Sequence, residues 1–229
     1  MSVACVEHDA AAVTKNGQLY TWRFHTDNNA NKTPPLAGER VDLPPVAQVA
    51  IGGIFQSHFA AVCQNGTMWT WGQAGRGQTG LGLGGMITGH VQAPREIPLA
   101  LFGGCKVVNV TCGYDYTVVV TELGSVYSFG DNTHGQLGHG DSGVLATRHS
   151  PTRVEALNGR HITMCATARY HTLCVCSKGC VWSWGLNYSG QLGIEGADYA
   201  DDVAVPTPVT GFDKPSTVVF LSTSPSHSM

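Results

Sequence analysis

The sequence predicts an all-β protein built from repeated units, and three observations support this prediction. A glycine-rich cassette recurs as WTWGQAGRGQTG at 69–80, YSFGDNTHGQLG at 127–138 and WSWGLNYSGQLG at 182–193. Short runs rich in Val, Thr and aromatic residues lie between the cassettes, and such runs are typical of strands. No segment shows a long 3.6-residue period between helix caps, so helices should be scarce.

A second landmark gives the length of the unit. A glycine precedes the cassette aromatic by five residues, and it occurs as Gly17, Gly66, Gly124 and Gly179, at spacings of 49, 58 and 55 residues. Gly17 marks a degenerate first copy, GQLYTW, in which Arg23 replaces the cassette glycine. Several short strands in a unit of this length indicate the blade of a β-propeller, because such units bury their apolar faces only against each other.

These landmarks divide one predicted domain, residues 1–229, into four units and the start of a fifth. The units are approximately 1–49, 50–106, 107–161 and 162–217, and residues 218–229 begin the next. Within them, the runs on either side of NG, LG and KG predict hairpins at QNG-TMWTW, ELG-SVYSF and SKG-CVWSW. Equivalent positions eight residues before each landmark glycine hold Asp9, His58, Tyr116 and His171.

Composition narrows the function classes. The net charge is -3 and only 13% of residues are charged. No basic run is present, so direct nucleic-acid binding is not expected. The N-terminus lacks the features of a signal peptide, and no apolar stretch reaches the roughly 20 residues of a membrane span. We therefore expect an intracellular protein, in the cytoplasm first, with organelle, cilium and nucleus open, and we expect its eight cysteines to stay reduced.

Four motifs suggest chemistry, and each has a simpler interpretation. GLGLGG at 80–85 contains G-x-G-x-x-G, but the segment after it is a poor helix. GDSG at 140–143 resembles a protease nucleophile without its partners, so a turn is favoured. Zinc at His171, Cys174, Cys176 and Cys180, or calcium in the acidic loop 194–202, is less expected than packing or a solvated loop. No catalytic, cofactor or metal site is predicted, and the chain is predicted not to be an enzyme.

The repeats resemble those of the regulator of chromosome condensation family. VTCGYDYTVVVTELGSVYSFGDNTHGQLGHGD and ATARYHTLCVCSKGCVWSWGLNYSGQLG carry the resemblance. It implies a β-propeller of four-stranded blades, seven in the best-known members, whereas this chain supplies about four. We therefore expect a partial or open ring, whose exposed sheet edges other proteins cover or whose missing blades a second chain or a longer product supplies.

The resemblance also suggests where a partner binds. It implies that the two variable residues of each C-G-x-x-H turn lie on one rim of the ring, while the motif histidine is structural. These pairs are Glu7 and His8, Gln56 and Ser57, Tyr114 and Asp115, Arg169 and Tyr170, and Pro225 and Ser226. Tyr and Arg are common interface hot spots, so Tyr114, Asp115, Arg169 and Tyr170 are the candidate partner-binding residues, unless they are simply exposed turn residues.

Two functions of different class follow. The first is a non-enzymatic interaction scaffold, a structural subunit of a larger assembly. The alternative, by analogy with the founding family member, is a guanine-nucleotide exchange factor for a small GTPase. A light sensor like the plant UV-B photoreceptor is disfavoured, because the rim turns of this chain carry no tryptophan.

Overall fold

The computed structural model describes residues 2–23, 38–53, 56–82, 89–196 and 201–212, together with residues 218 and 221. Within these residues the regular structure is strand, apart from three short 3₁₀ turns at Leu99–Phe102, Val144–Ala146 and Glu155–Leu157. The all-β prediction is therefore confirmed.

Sixteen strands form four antiparallel four-stranded sheets that follow one another along the chain. The first sheet contains β1 (Ser2–Cys5), β2 (Asp9–Val13), β3 (Leu19–Arg23) and β4 (Glu39–Val41). The second contains β5 (Val46–Gly52), β6 (His58–Cys63), β7 (Met68–Gln73) and β8 (His90–Ile97). The third contains β9 (Val107–Cys112), β10 (Tyr116–Thr121), β11 (Val126–Gly130) and β12 (Arg148–Arg153). The fourth contains β13 (Ile162–Thr167), β14 (His171–Cys176), β15 (Val181–Gly185) and β16 (Val203–Pro208).

The four sheets are blades of a partial propeller. Their first strands, β1, β5, β9 and β13, contact one another in chain order and form the inner side of an arc, while the fourth strands lie outermost. The arc is not closed by the part of the chain that the structure describes, in agreement with the predicted partial ring. The second sheet begins at Val46, a few residues before the predicted start of the second unit. The division of the chain into units stays a prediction.

The hydrophobic core consists of layers between neighbouring blades. The layer between the first and second sheets includes Ala11, Leu19, Val49, Phe59 and Trp71. The next layer includes Met68, Ile97, Phe102, Val119 and Phe129. The layer between the third and fourth sheets includes Tyr116, Val118, Leu137, Cys174 and Trp184. Each blade thus depends on its neighbours for burial, as expected for units of this size.

Backbone hydrogen bonds join each blade to the next at the hairpin between its second and third strands. The carbonyl of the hairpin glycine accepts a hydrogen bond from the first strand of the following blade, in the pairs Gly17–Val46, Gly66–Val107 and Gly124–Ile162, at 2.8, 3.0 and 3.0 Å. The backbone carbonyl of the residue just before that strand accepts a second hydrogen bond, from a backbone N–H in the hairpin of its own blade. The pairs are Pro45–Gln64, Lys106–Glu122 and His161–Ser177. We call this repeated pair of bonds the hairpin latch.

Candidate functional site

The predicted rim turns join the first and second strands of each blade, so they all lie on the same rim of the partial propeller. Tyr114 and Asp115 lie between β9 and β10, and Arg169 and Tyr170 lie between β13 and β14. Glu7, His8, Gln56 and Ser57 lie in the corresponding turns of the first two blades. Pro225 and Ser226 lie outside the described residues.

Three of the predicted residues form one cluster. The guanidinium carbon of Arg169 lies 5.1 Å from the centre of the Tyr114 ring and 5.0 Å from that of Tyr170. The two tyrosine rings meet edge to face, with their centres 5.7 Å apart. The backbone also links the two turns, because the Tyr114 N–H donates to the Arg169 carbonyl at 3.3 Å. Cation–π contacts of this kind hold the charge in place while leaving its N–H groups available.

Two further residues extend the cluster, and the sequence reasoning missed both. The His134 ring lies 4.8 Å from the Tyr170 ring, and Tyr188, which is 59% exposed, lies 6.4 Å from His134. His134 Nδ1 is also 3.0 Å from Asp202 Oδ2. We call Tyr114, His134, Arg169, Tyr170 and Tyr188 the rim patch. The signal for His134 and Tyr188 was their place one residue before Gly135 and two residues before Gly190, the glycines that open GQLG.

The cassette glutamine holds these loops in shape. The side-chain oxygens of Gln78, Gln136 and Gln191 accept a hydrogen bond from the N–H two residues earlier, at 2.8, 2.9 and 2.9 Å. Two of those earlier residues are Arg76 and His134, so the motif fixes the backbone that carries the rim side chains. The glutamine thus satisfies one backbone N–H in each cassette loop.

Asp115 differs from the other three predicted residues. Its Oδ1 accepts a hydrogen bond from Gln78 Nε2 at 2.9 Å, which ties the third-blade turn to the second-blade cassette. Burial raises the pKa of its carboxyl and the charge of Asp131 raises it further, while Arg76 and Gln78 oppose them. The second-blade cassette thus holds Asp115 beside the rim patch, and its role in partner binding stays a prediction.

The structure buries the motif histidines in the core. His58 Nε2 lies 3.0 Å from the Thr117 hydroxyl, and burial lowers the pKa of His58 and of His171 to about 4. At the equivalent position Tyr116 donates its O–H to the His171 carbonyl at 2.6 Å. In the degenerate first blade, Asp9 pairs with Arg23 at 2.9 Å, so the residue that replaced the cassette glycine is neutralised by the residue opposite it. These contacts agree with a structural role for this position.

The expectation that every cysteine stays reduced is wrong for one pair. Cys165 and Cys174 lie directly opposite each other on β13 and β14, with Cα atoms 4.1 Å apart, and form a disulfide. The disulfide removes Cys174 from the possible zinc ligands, and Cys176 and Cys180 pack in the core layer beside it. Among the described residues no group of three His, Cys, Asp or Glu side chains could hold a metal ion.

The other suggestive motifs are loops where the structure describes them. Asp141 of GDSG receives hydrogen bonds from Asn132 and pairs with Arg148, which accounts for it as part of a turn. The second half of GLGLGG and residues 197–200 of the acidic loop lie outside the described residues. None of the described helices is long and apolar enough to cross a bilayer.

Comparison with known families matches most of the chain. A family model for the regulator of chromosome condensation (RCC1) repeat matches residues 65–120, 124–175 and 178–229, and a second model of the same description matches residues 107–136.

Curated relatives and solved structures agree with this match. The chain is 32% identical to the probable E3 ubiquitin-protein ligase HERC3 of Homo sapiens, over 93% of this chain and 20% of HERC3. It is 31% identical to the ultraviolet-B receptor UVR8 of Arabidopsis thaliana, over 84% of this chain and 42% of UVR8. Yeast RCC1 (Prp20), solved bound to Kap60, superposes with a TM-score of 0.77 at 18% identity, over 99% of this chain and 52% of that one. The chain thus spans less than half the length of both curated relatives.

Proposed function

Since the chain belongs to the regulator of chromosome condensation repeat family, we propose that it is a non-enzymatic protein-interaction module that serves as a structural subunit of a larger assembly. The ligase activity in the name of HERC3 gives no support for an enzyme here, because the chain matches only 20% of that protein. The observation that carries the proposal is the rim patch, in which an exposed arginine is held between two tyrosines.

The rim patch has the physical properties of a binding surface. Tyr and Arg dominate interface hot spots, and side chains that are already ordered lose little entropy on binding. Arg169 takes part in none of the ion pairs found among the described residues, so its N–H groups can meet an acidic group of a partner. We therefore expect the partner to present a carboxylate next to an apolar or aromatic side chain.

The first and last blades of the arc offer a second surface for contact with other protein. An open sheet of a repeat protein needs a neighbour to cover its face, and Val3 on β1 is 71% exposed. Further blades, from a longer chain or from a partner, would bury this surface. This contact is separate from the rim patch and would survive substitutions there.

The exchange-factor alternative stays a prediction. The likeness to yeast RCC1 concerns the fold, since the two chains are 18% identical. Release of labelled GDP from purified small GTPases, with and without this chain, separates the two functions. Acceleration by the chain would favour exchange, and unchanged release beside stable partner binding would favour the scaffold.

The proposal is tested by substitution in the rim patch. Partners that co-purify with the tagged chain from its source cells are first identified. The affinity of each partner is then measured for the purified wild type, for Arg169→Ala and Tyr170→Ala, and for the control Arg95→Ala. Arg95 is an exposed arginine on β8, away from the rim patch. Removing a hot-spot side chain should weaken binding by about 30-fold (~2 kcal/mol), and the control should change it little. Equal affinity of all three variants and the wild type would contradict the proposal.

A further inference from the structure

A cavity lies at the end of the third blade opposite to the rim patch. It has a volume of about 300 Å³, at the lower end of the range for ligand pockets. Its walls come from the β10–β11 hairpin and from the connection between β12 and β13, so it lies where the third blade meets the fourth. Val126, Val154 and Leu157 line its floor, where their side chains are buried in the core layer between the third and fourth blades.

The polar side of the cavity is centred on Arg153. The Nη2 atom of Arg153 lies 2.8 Å from Asn158 Oδ1 and 3.3 Å from Ser125 Oγ, both neutral groups that line the same cavity. No ion pair among the described residues involves Arg153, so its charge is oriented but not neutralised. A half-buried guanidinium with unused N–H groups matches the geometry of an oxyanion.

This arrangement is particular to the third blade. The strand register pairs Arg153 with Tyr127, and the same position opposite Trp69 in the second blade holds Glu96. In the fourth blade it holds Pro208, opposite Trp182. The repeat architecture therefore does not require an arginine here, and the second blade places the opposite charge at this position.

Two residues, Leu123 and His161, lie at the mouth of the cavity. Leu123, at the tip of the hairpin, is 66% exposed although it is a large apolar side chain. His161 has φ +45°, the only positive φ of a non-glycine residue in the part of the chain that the structure describes. Its Nδ1 lies 3.2 Å from the Leu123 carbonyl, so this uncommon conformation sets the ring beside the hairpin tip.

We propose that this cavity binds a short acidic peptide segment of a protein partner. The oxyanion of the segment, a carboxylate or a phosphate, pairs with Arg153, and an adjacent apolar side chain packs on the exposed Leu123. The site is distinct from the rim patch, because the two lie at opposite ends of β10.

The test uses the full chain and capped peptides with a single charge centre. Fluorescein-labelled acetyl-Gly-Leu-Glu-Leu-Gly-amide is titrated by anisotropy, together with the Gln peptide, the phosphoserine peptide and inorganic phosphate. Amide NMR shifts of Gly124, Ser125 and Gly159 report whether binding occurs in the cavity. We expect the Glu or phosphoserine peptide to bind and the Gln peptide to bind at least about 10-fold more weakly, since a charge-assisted pair is lost. The stronger of the two acidic peptides identifies the source of the oxyanion.

Two variants and one control complete the experiment. The variants are Arg153→Gln and Leu123→Asn, the second of which introduces the residue found at the equivalent Asn65 of the second blade. Each should weaken binding of the acidic peptide, whereas the control Arg95→Gln should not. Leu123 is exposed, so its variant keeps the test valid if Arg153→Gln unfolds the loop. Equal binding of the Glu and Gln peptides, unchanged binding by both variants, or binding of inorganic phosphate as tight as that of the peptides would overturn the proposal.

Discussion

Replacing Gly130 by alanine should destabilise the protein strongly, because this cassette glycine touches the backbone of a rim turn. Gly130 has φ +114°, and a Cβ atom there would lie 2.4 Å from the Asp115 carbonyl oxygen and 2.6 Å from the Tyr116 Cα. That carbonyl accepts a hydrogen bond from the Asp131 N–H at 2.8 Å. It cannot move away from the new methyl group without stretching this bond.

A matched glycine separates the two parts of the cost. Gly143 has a similar φ of +106°, but nothing lies within 4 Å of its hypothetical Cβ. Gly143→Ala should therefore cost only the backbone strain, about 1–3 kcal/mol. Gly130→Ala adds the overlap and the weakened hydrogen bond, so we expect a loss of about 4 kcal/mol or more.

Urea unfolding of the two variants and the wild type measures this difference. At an unchanged m-value, the midpoint of Gly130→Ala should fall well below that of Gly143→Ala, and its Tm should drop by about 8 °C or more. The displaced Asp115 turn should also weaken partner binding through Tyr114. If both variants lost the same stability, close backbone approach would not be the reason for glycine at this cassette position.

Two other predictions concern pH and redox state. Burial lowers the pKa of His58 from 6.5 to about 4, so the unfolded chain takes up the proton first. The resulting stability is complete above pH 6.5 and is lost as pH falls towards 4, by about 3 kcal/mol for this one group. Urea midpoints between pH 7 and 4 should fall less steeply in His58→Asn, and an equal slope would refute the assignment to His58. Reducing the Cys165–Cys174 bond should lower the free energy of unfolding by about 2–3 kcal/mol, because the unfolded chain regains loop entropy. Reductant should therefore lower the Tm of the wild type and of Cys5→Ser, but it should not change the Tm of Cys165→Ser. Before reduction, six of the eight cysteines should react with a thiol reagent in denaturant. Reaction of all eight would show that the pair is not oxidised.

Much of the fold could be predicted because its local geometry is encoded in residue type. The NG, LG and KG pairs marked hairpins, and they join β6 to β7, β10 to β11 and β14 to β15. The outer strands had no such signal. β12 and β16 read RHSPTR and VAVPTP, and each contains proline. Neither strand alternates regularly between buried and exposed residues, so only the family resemblance implied a fourth strand.

The candidate site was predicted in part for a similar reason. Tyr114, Arg169 and Tyr170 occupy equivalent turn positions, so the repeat alignment placed them on one rim. His134 and Tyr188 come from cassette loops 54 residues apart, and only the arc of the blades brings them to the same place. The disulfide was missed because a compartment argument cannot show that Cys165 and Cys174 lie opposite each other in the strand register.

The hairpin latch has a consequence for how genes that encode these repeats can evolve. Its bonds use only main-chain N–H and carbonyl groups, and the residue at its centre is proline, lysine or histidine in the three observed cases. A junction that needs only a glycine in the hairpin and main-chain groups in the following strand can join units whose other residues differ. Whole units can therefore be duplicated, deleted or exchanged by recombination without redesigning this connection. What must then adapt is the apolar layer between the new neighbours, so the divergence of duplicated copies is expected to concentrate there.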